Sequence, residues 1–284
     1  MKATLTQQGI AEHLSAQGYF ADQDLTTALF LALELGKPLL LEGAPGVGKT
    51  EVARALSLVL GRNLVRLQCY EGLDSTKSLY DWDHARQLLQ VRVAERHGDI
   101  ALSELYGPEF LIEMPLLKAL RKAGQTVLLI DEIDRADAAF EAFLLEFLSD
   151  YQMSIPELGT VKAAEPVITI LTSNRTRELH DALRRRCLYH WIDYPDAARE
   201  QAIIERHAPG IGTEAAKALV EAVSGIRRLR LLKKPGISES IDWARAALLL
   251  SEHGTEWPEA LRRSLGLLIK DQEDLGAVTT AAVI

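Results

Sequence analysis

From Ile10 to Leu35 apolar side chains recur at helical spacing, broken at Gly18-Tyr19-Phe20. This pattern predicts a short helix and then a longer one over about Asp22 to Leu35. The pattern then changes. Leu39-Leu40-Leu41, bounded by Pro38 and by a glycine-rich turn after Glu42, is a compact apolar run of the kind that forms a strand buried on both faces. Similar runs follow at Leu64 to Cys69, Thr126–Ile130, Val167–Thr172 and Leu188–Tyr194. Between them Val52, Leu56 and Leu60 mark a helix that stops at Gly61, and two more helices are expected over Pro115 to Lys122 and Ala136 to Leu148. The second of these carries apolar Phe140, Phe143, Leu144, Phe147 and Leu148. Asp74 to Glu104 reads as polar and helical with an irregular middle near Gly98. Met153–Ile155 and Thr160–Val161 flank a Pro/Gly turn and predict a hairpin.

Beyond Pro195 the strand signals stop, and amphipathic helices are expected at about Asp196–Arg206, Glu214–Ser224, Ser238–Ser251 and Pro258–Ile269. Alternating strands and helices followed by helices alone predict an α/β domain over 1–195 and an all-α domain over 196–284. Apolar residues make up 48% of the chain and charged residues 25%, which suits a globular protein with a sizeable core. The formal net charge of -8 disfavours polyanion binding by overall attraction, so no nucleic-acid partner is expected. Cys69 and Cys187 form no disulfide framework and no CxxC pair, and the seven histidines show no metal-ligand spacing. The polar N-terminus lacks a signal-peptide stretch, and runs such as Leu248-Leu249-Leu250 are too short to span a bilayer, so a cytoplasmic location is expected.

Gly43-Ala44-Pro45-Gly46-Val47-Gly48-Lys49-Thr50 fits G-x-x-x-x-G-K-[ST] and falls between a predicted strand and a predicted helix. Glycines allow such a loop to wrap closely, so that successive backbone N–H groups face phosphate oxygens. Lys49 would reach the β- and γ-phosphates, the Thr50 hydroxyl would face Mg²⁺, and the following helix would aim its positive end at the same anion. Val127-Leu128-Leu129-Ile130-Asp131-Glu132 would deliver two carboxylates to a strand's C-terminal end, where parallel sheets bind ligands. Asp131 is the candidate for the metal shell and Glu132 for the base that polarises an attacking water. Asn174, ending Thr169-Ile170-Leu171-Thr172-Ser173-Asn174, reads alone as a turn residue; after these two motifs it is a candidate for the gap between γ-phosphate and water. Arg184-Arg185-Arg186, before the last strand, has the chemistry to meet developing phosphoryl charge, including that of a neighbouring molecule.

These four elements in this order resemble an AAA+ ATPase. Leu39–Glu51 (LLLEGAPGVGKTE), Asp131–Asp134 (DEID), Thr172–Arg175 (TSNR) and Ala182–Cys187 are similar to the MoxR branch. Gln68–Asp74 (QCYEGLD), Trp82–Arg92 (WDHARQLLQVR) and Lys234–Ala246 (KPGISESIDWARA) resemble the CoxD-type proteins within it. The resemblance implies an ATP·Mg²⁺-dependent ring, usually a hexamer, that remodels a protein client with a von Willebrand factor A-domain partner. For the CoxD type the implied client is a molybdenum hydroxylase such as carbon monoxide dehydrogenase. By position Lys49 and Thr50 are the P-loop pair, Asp131 and Glu132 the Walker B pair, Asn174 sensor 1, and Arg186 the arginine finger with Arg185 in reserve. The regions 74–104 and 151–166 become a helical insertion and a hairpin at a ring's pore or face. Where relatives carry a sensor 2 arginine, Gly236-Ile237-Ser238-Glu239-Ser240 has Ser240, with Arg245 the alternative on the same helix. Arg227, Arg228, Arg230, Lys233 and Lys234 read as solvated surface or as a contact for an acidic neighbour. A DNA-handling AAA+ motor, a GTP-using restriction-type motor and a non-hydrolysing ATP-dependent scaffold are the alternative readings.

Overall fold

A computed structural model of the protein describes residues 6–97, 105–156 and 159–281. Its strands are β1 (Leu39–Gly43), β2 (Asn63–Gln68), β3 (Tyr80–Trp82), β4 (Leu111–Glu113), β5 (Thr126–Asp131), β6 (Gln152–Ile155), β7 (Gly159–Lys162), β8 (Ile168–Ser173) and β9 (Leu188–Ile192). Five of them form one parallel sheet in the order β2-β5-β8-β1-β9. The alternation along β1 explains its position. Leu39 and Leu41 pack on one face with Val52, Leu56, Leu129 and Ile170, beneath helices Gln7–Ala16, Gln23–Leu35 and Lys49–Val59. Leu40 points to the other face, with Leu128, Ile130, Leu171 and the Phe140, Leu144 and Phe147 side chains of helix Ala138–Asp150. A strand covered on both faces must be apolar throughout, which is why the Leu run and Val127–Ile130 read so clearly.

Helix starts follow local capping chemistry. Asp22 accepts from the Leu25 N–H at 2.7 Å and opens the helix that follows it, and Asp137 accepts from the Phe140 N–H at 2.8 Å. Past β9 the chain is helical: Ala197–His207, Thr213–Arg228, Ile237–Glu252, Trp257–Arg263, Leu265–Leu268 and Gln272–Thr280. Their apolar faces close on a core of their own around Trp243, Leu219, Val223, Ile226 and Leu268.

The structure departs from the sequence expectations in several places, among them the helix Thr213–Arg228, which runs four residues past the expected end at Ser224. The stretch 74–104 is not helical throughout: helix Ser75–Leu79 runs into β3, which pairs antiparallel with β4, and helix His84–His97 follows. Gly98 to Glu104 lie outside the described residues. The helix expected over Pro258–Ile269 breaks at Ser264, whose hydroxyl donates back to Ala260 O at 2.7 Å. The helix Gln272–Thr280, opened by Asp271, carries too weak a pattern to be read in advance. β9 ends at Ile192, two residues before the expected end. The expected hairpin is present, with β6 and β7 paired through Met153↔Val161. Among the described residues no helix is long and apolar enough to cross a membrane.

Candidate functional site

The sheet order brings the C-terminal ends of β1, β5 and β8 side by side, and three of the four motifs emerge there; Arg184, Arg185 and Arg186 precede β9 and lie at the sheet's other end, where Leu188 pairs with Leu39. Gly43 to Gly48 form the loop between β1 and helix Lys49–Val59. Gly46 and Gly48 have φ of +77° and +91°, the left-handed region in which only glycine is at ease, so the loop can double back over the helix start. Lys49 is 7% exposed, and its ammonium donates to the Gly43 and Ala44 carbonyls at 2.8 and 2.7 Å. Burial lowers its pKa to about 8, against the opposing pull of Asp134, Asp131, Glu132 and Glu42.

The Thr50 hydroxyl donates to Asp131 Oδ1 at 3.1 Å, across 81 residues of sequence. Asp131 is 2% exposed and also accepts from the Thr172 hydroxyl and from Arg66 Nε at 2.9 Å. A hydroxyl and a carboxylate converging here are hard oxygen donors of the type magnesium takes. Glu132 sits at φ 54°, a left-handed conformation uncommon for a side-chain-bearing residue, fixed by a 2.9 Å bond from its own N–H to Thr172 Oγ1. Its carboxylate accepts from Gln68 Nε2 and Arg135 Nη1, each at 3.1 Å, and from Asn174 Nδ2 at 3.4 Å. The candidate base and the candidate sensor are therefore already in contact.

Local pattern alone did not reveal several of these partners. Arg66 and Gln68 stand on β2, whose register sets Gln68 opposite Asp131; pairing between strands leaves no mark in the local sequence. Asp134 is 2% exposed and accepts from Asn174 N at 3.2 Å, Thr176 N at 2.9 Å and Thr176 Oγ1 at 2.7 Å, tying the loop after β8 to the turn after β5. The DEID run contained it, but only as a match of letters.

The arginines divide. Arg186 donates to Ala182 O at 2.9 Å and to the Ser149 hydroxyl, so its guanidinium lies against its own chain. Arg185 is exposed. Arg184 stacks over Tyr189 at 5.7 Å. Ser240 is fully buried and donates to Gly236 O at 3.0 Å, while Arg245 donates to His207 O at 2.8 Å; both are engaged inside the helical region. The basic stretch from Arg227 to Lys234 is not uniformly solvated. Arg227 makes two bonds to buried Glu200, at 2.7 and 2.9 Å, and lies 4.4 Å from the centre of the Tyr194 ring. Both thiols are held protonated by burial, each pushed up to about 12. Among the described residues no His/Cys/Asp/Glu group could hold a metal unaided.

The family described as AAA domain (dynein-related subfamily) matches residues 38–187. An uncharacterised protein of Staphylococcus epidermidis is 26% identical over 270 residues, covering 92% of this chain and 95% of that protein. Another, from Staphylococcus aureus, is 27% identical over 258 residues, covering 87% and 90%. Among solved structures, a variant of Thermotoga maritima RuvB aligns with a TM-score of 0.55 at 19% identity, covering 96% of this chain and 73% of that one. A second RuvB variant gives 0.53 at 20% identity, covering 89% and 70%. At these identities the RuvB likeness speaks to the fold alone.

Proposed function

The chain belongs to the AAA domain family, dynein-related subfamily, and has the AAA+ P-loop fold; on that premise we propose that it binds ATP with magnesium and hydrolyses it to drive remodelling of a protein client. The observation that carries this reading is the meeting of Lys49 and Thr50 with Asp131, Glu132 and Asn174 at one end of the sheet. In it, Lys49 leaves the Gly43 and Ala44 carbonyls for the β- and γ-phosphates, while backbone N–H groups of Gly46 to Thr50 surround them. Thr50 and Asp131 hold the magnesium, which when bound neutralises charge on the phosphate oxygens. Glu132 orients and deprotonates the attacking water, and Asn174 holds that water's position against the γ-phosphate. Gln68, now on the Glu132 carboxylate, must give way to the water for this geometry to form.

The wider proposal follows the motif resemblance. The protein is a MoxR-type, CoxD-like remodeller that assembles as a homo-oligomeric ring, a hexamer, and works in the cytoplasm. A von Willebrand factor A-domain protein is its partner, and a metalloenzyme such as a molybdenum hydroxylase is its client. Residues 1–195 act as the nucleotide-binding domain and 196–284 as a helical lid, a division supported by the separate core around Trp243. Arg186 is the residue reaching a neighbour's nucleotide, which requires it to leave Ser149; Arg185 is the reserve. Leu88 and Leu89, 64% and 65% exposed on helix His84–His97, give the insertion an apolar surface for a client. The net charge of -8 speaks against a nucleic-acid substrate.

The test compares Lys49→Ala and Glu132→Gln. The first is expected to lose ATP binding; the second binds ATP yet turns over at least about a hundredfold more slowly. Equal ATP affinity in Lys49→Ala and wild type removes the basis of the assignment. Affinity-tagged Glu132→Gln held with ATP then traps the client, and recovery of neither a metalloenzyme nor a von Willebrand-type protein refutes the subtype.

A further inference from the structure

The helix Ile237–Glu252 starts directly on the loop Gly43–Gly48. The Ile237 N–H donates to the Gly46 carbonyl at 2.8 Å. The two glycines also touch backbone to backbone: a Cβ at Gly236 would lie 2.7 Å from Gly46 Cα and 2.9 Å from Gly46 O. A Cβ at Gly46 would lie 2.9 Å from Gly236 Cα, so neither side tolerates a side chain.

The presenting segment is itself held. Glu239 Oε2 accepts from the Gly236 N–H at 3.1 Å, Ser240 Oγ donates to Gly236 O at 3.0 Å, and Arg227 Nε donates to Pro235 O at 2.9 Å. Arg227 is anchored in turn by Glu200, which is 1% exposed, and by the Tyr194 ring. A buried, bidentate pair of this kind fixes orientation as well as distance. Pro235-Gly236-Ile237 is therefore offered to the loop by a rigid support.

Peptide planarity gives this contact a consequence. In a trans peptide the C=O and the following N–H point in opposite directions, and the described residues contain no cis bond. Turning the Gly46 carbonyl out toward Ile237 turns the Val47 N–H back toward the loop's own interior. We propose that Gly236 and Ile237 are positioning residues for the phosphate loop, a main-chain latch that fixes the Gly46–Val47 peptide so that the Val47 amide faces the bound phosphates. Phosphate binding and the seating of the helical region then become one event, linked without an arginine at position 240. This rests on the ATP-binding reading above.

Proline at 237 breaks the latch without breaking the helix: it removes the N–H, and its ring carbon takes the place of the hydrogen that meets Gly46 O at this close approach. Ile237 is the first residue of its helix, where proline is at home, and Gly236 at φ -83° and ψ -177° already has the extended backbone that a residue before proline needs. Ile237→Pro removes the donor; Ile237→Ala loses the same side-chain packing but keeps it. With a fluorescent ATP analogue and magnesium, Ile237→Pro is expected to bind at least about five- to tenfold more weakly than Ile237→Ala, one such hydrogen bond setting the lower bound and displacement of the Gly46 carbonyl adding to it. Adding the analogue should slow amide exchange over residues 238–241 in Ile237→Ala and leave it unchanged in Ile237→Pro. Gly236→Ala, which forces the two backbones apart, should weaken binding about tenfold or more while its circular dichroism stays helical. Affinities of the proline and alanine variants within twofold of each other, or wild-type affinity in folded Gly236→Ala, overturn the latch alone. Wild type binding no better than Lys49→Ala overturns the ATP reading, and this inference with it.

Discussion

A buried lysine whose pKa has fallen to about 8 from 10.5 makes nucleotide affinity a function of pH. Burial is the main cause of the fall, and binding reverses it: phosphate charges placed beside the ammonium favour its protonated form. Below about pH 7 Lys49 carries its proton both free and bound, so affinity is flat. Above pH 8 the free protein has lost the proton that the complex requires, and the apparent Kd grows as 1 + 10^(pH − pKa). That factor is about 1.1 at pH 7, about 2 at pH 8 and about 11 at pH 9, a loss of about 1.4 kcal/mol across the range. Titration calorimetry with a non-hydrolysable ATP analogue at pH 7, 8 and 9, in two buffers of different ionisation heat, reads both the affinity and the proton taken up. Uptake should rise from about 0.1 to about 0.9 proton per site between pH 7 and 9. Lys49→Arg keeps its charge throughout and should lose the slope. A wild-type Kd constant from pH 7 to 9, with heats independent of buffer, refutes the reasoning. The same shift has a stability signature. Between pH 8 and 10.5 the unfolded chain holds the Lys49 proton more tightly than the folded one, so this residue's contribution to stability rises with pH through that window.

Asp134→Ala removes the acceptor of three hydrogen bonds to Asn174 and Thr176; turnover should fall about a hundredfold while nucleotide affinity changes little, and an unchanged kcat would show that Asn174 is placed by other contacts. Trp243→Ala empties a site that is fully buried and deletes the 3.0 Å bond from Nε1 to Leu261 O. It should cost about 3–5 kcal/mol in urea unfolding, and a loss under about 1 kcal/mol would mean the helical core had closed over the gap. With both thiols pushed up to about 12, Cys69 and Cys187 should react with a disulfide reagent at pH 8 about a thousandfold more slowly in the native chain than in urea. Native labelling at the unfolded rate would contradict that burial.

What could be read ahead of the structure was whatever local chemistry determines. β1 and β5 were visible because Leu39–Leu41 and Val127–Ile130 are buried on both faces and bounded by turn residues, and the loop Gly43–Thr50 because its glycines and lysine must stand at fixed offsets. Asp131, Glu132 and Asn174 were found for the same reason. The environment of these residues was not legible. Arg66 on Asp131 and Gln68 on Glu132 depend on which strand lies beside β5, and the Gly46–Gly236 contact joins segments 190 positions apart. β3 and β4, three residues each, are too short to show alternation, so Tyr80-Asp81-Trp82 was absorbed into a helical reading. Arg186 shows a different limit: its position before Cys187 was plain, but not that its guanidinium would rest on Ser149 and Ala182.

The ribbon of β3 and β4 has a consequence for how this chain can be taken apart. Trp82 lies opposite Leu111, the Asp83 N–H donates to Phe110 O at 2.8 Å, and the Met114 N–H donates to Leu79 O at 3.2 Å, so the excursion from 83 to 110 leaves and re-enters at one spot. Its two feet are stitched together before helix Pro115–Arg121 carries the chain into β5. A tight two-residue connection from Trp82 to Leu111 would therefore close the ribbon with the sheet untouched. The excursion is in effect a plug-in cartridge: both its feet stand on the β3–β4 ribbon, which is separate from the five-stranded sheet that carries the ends of β1, β5 and β8.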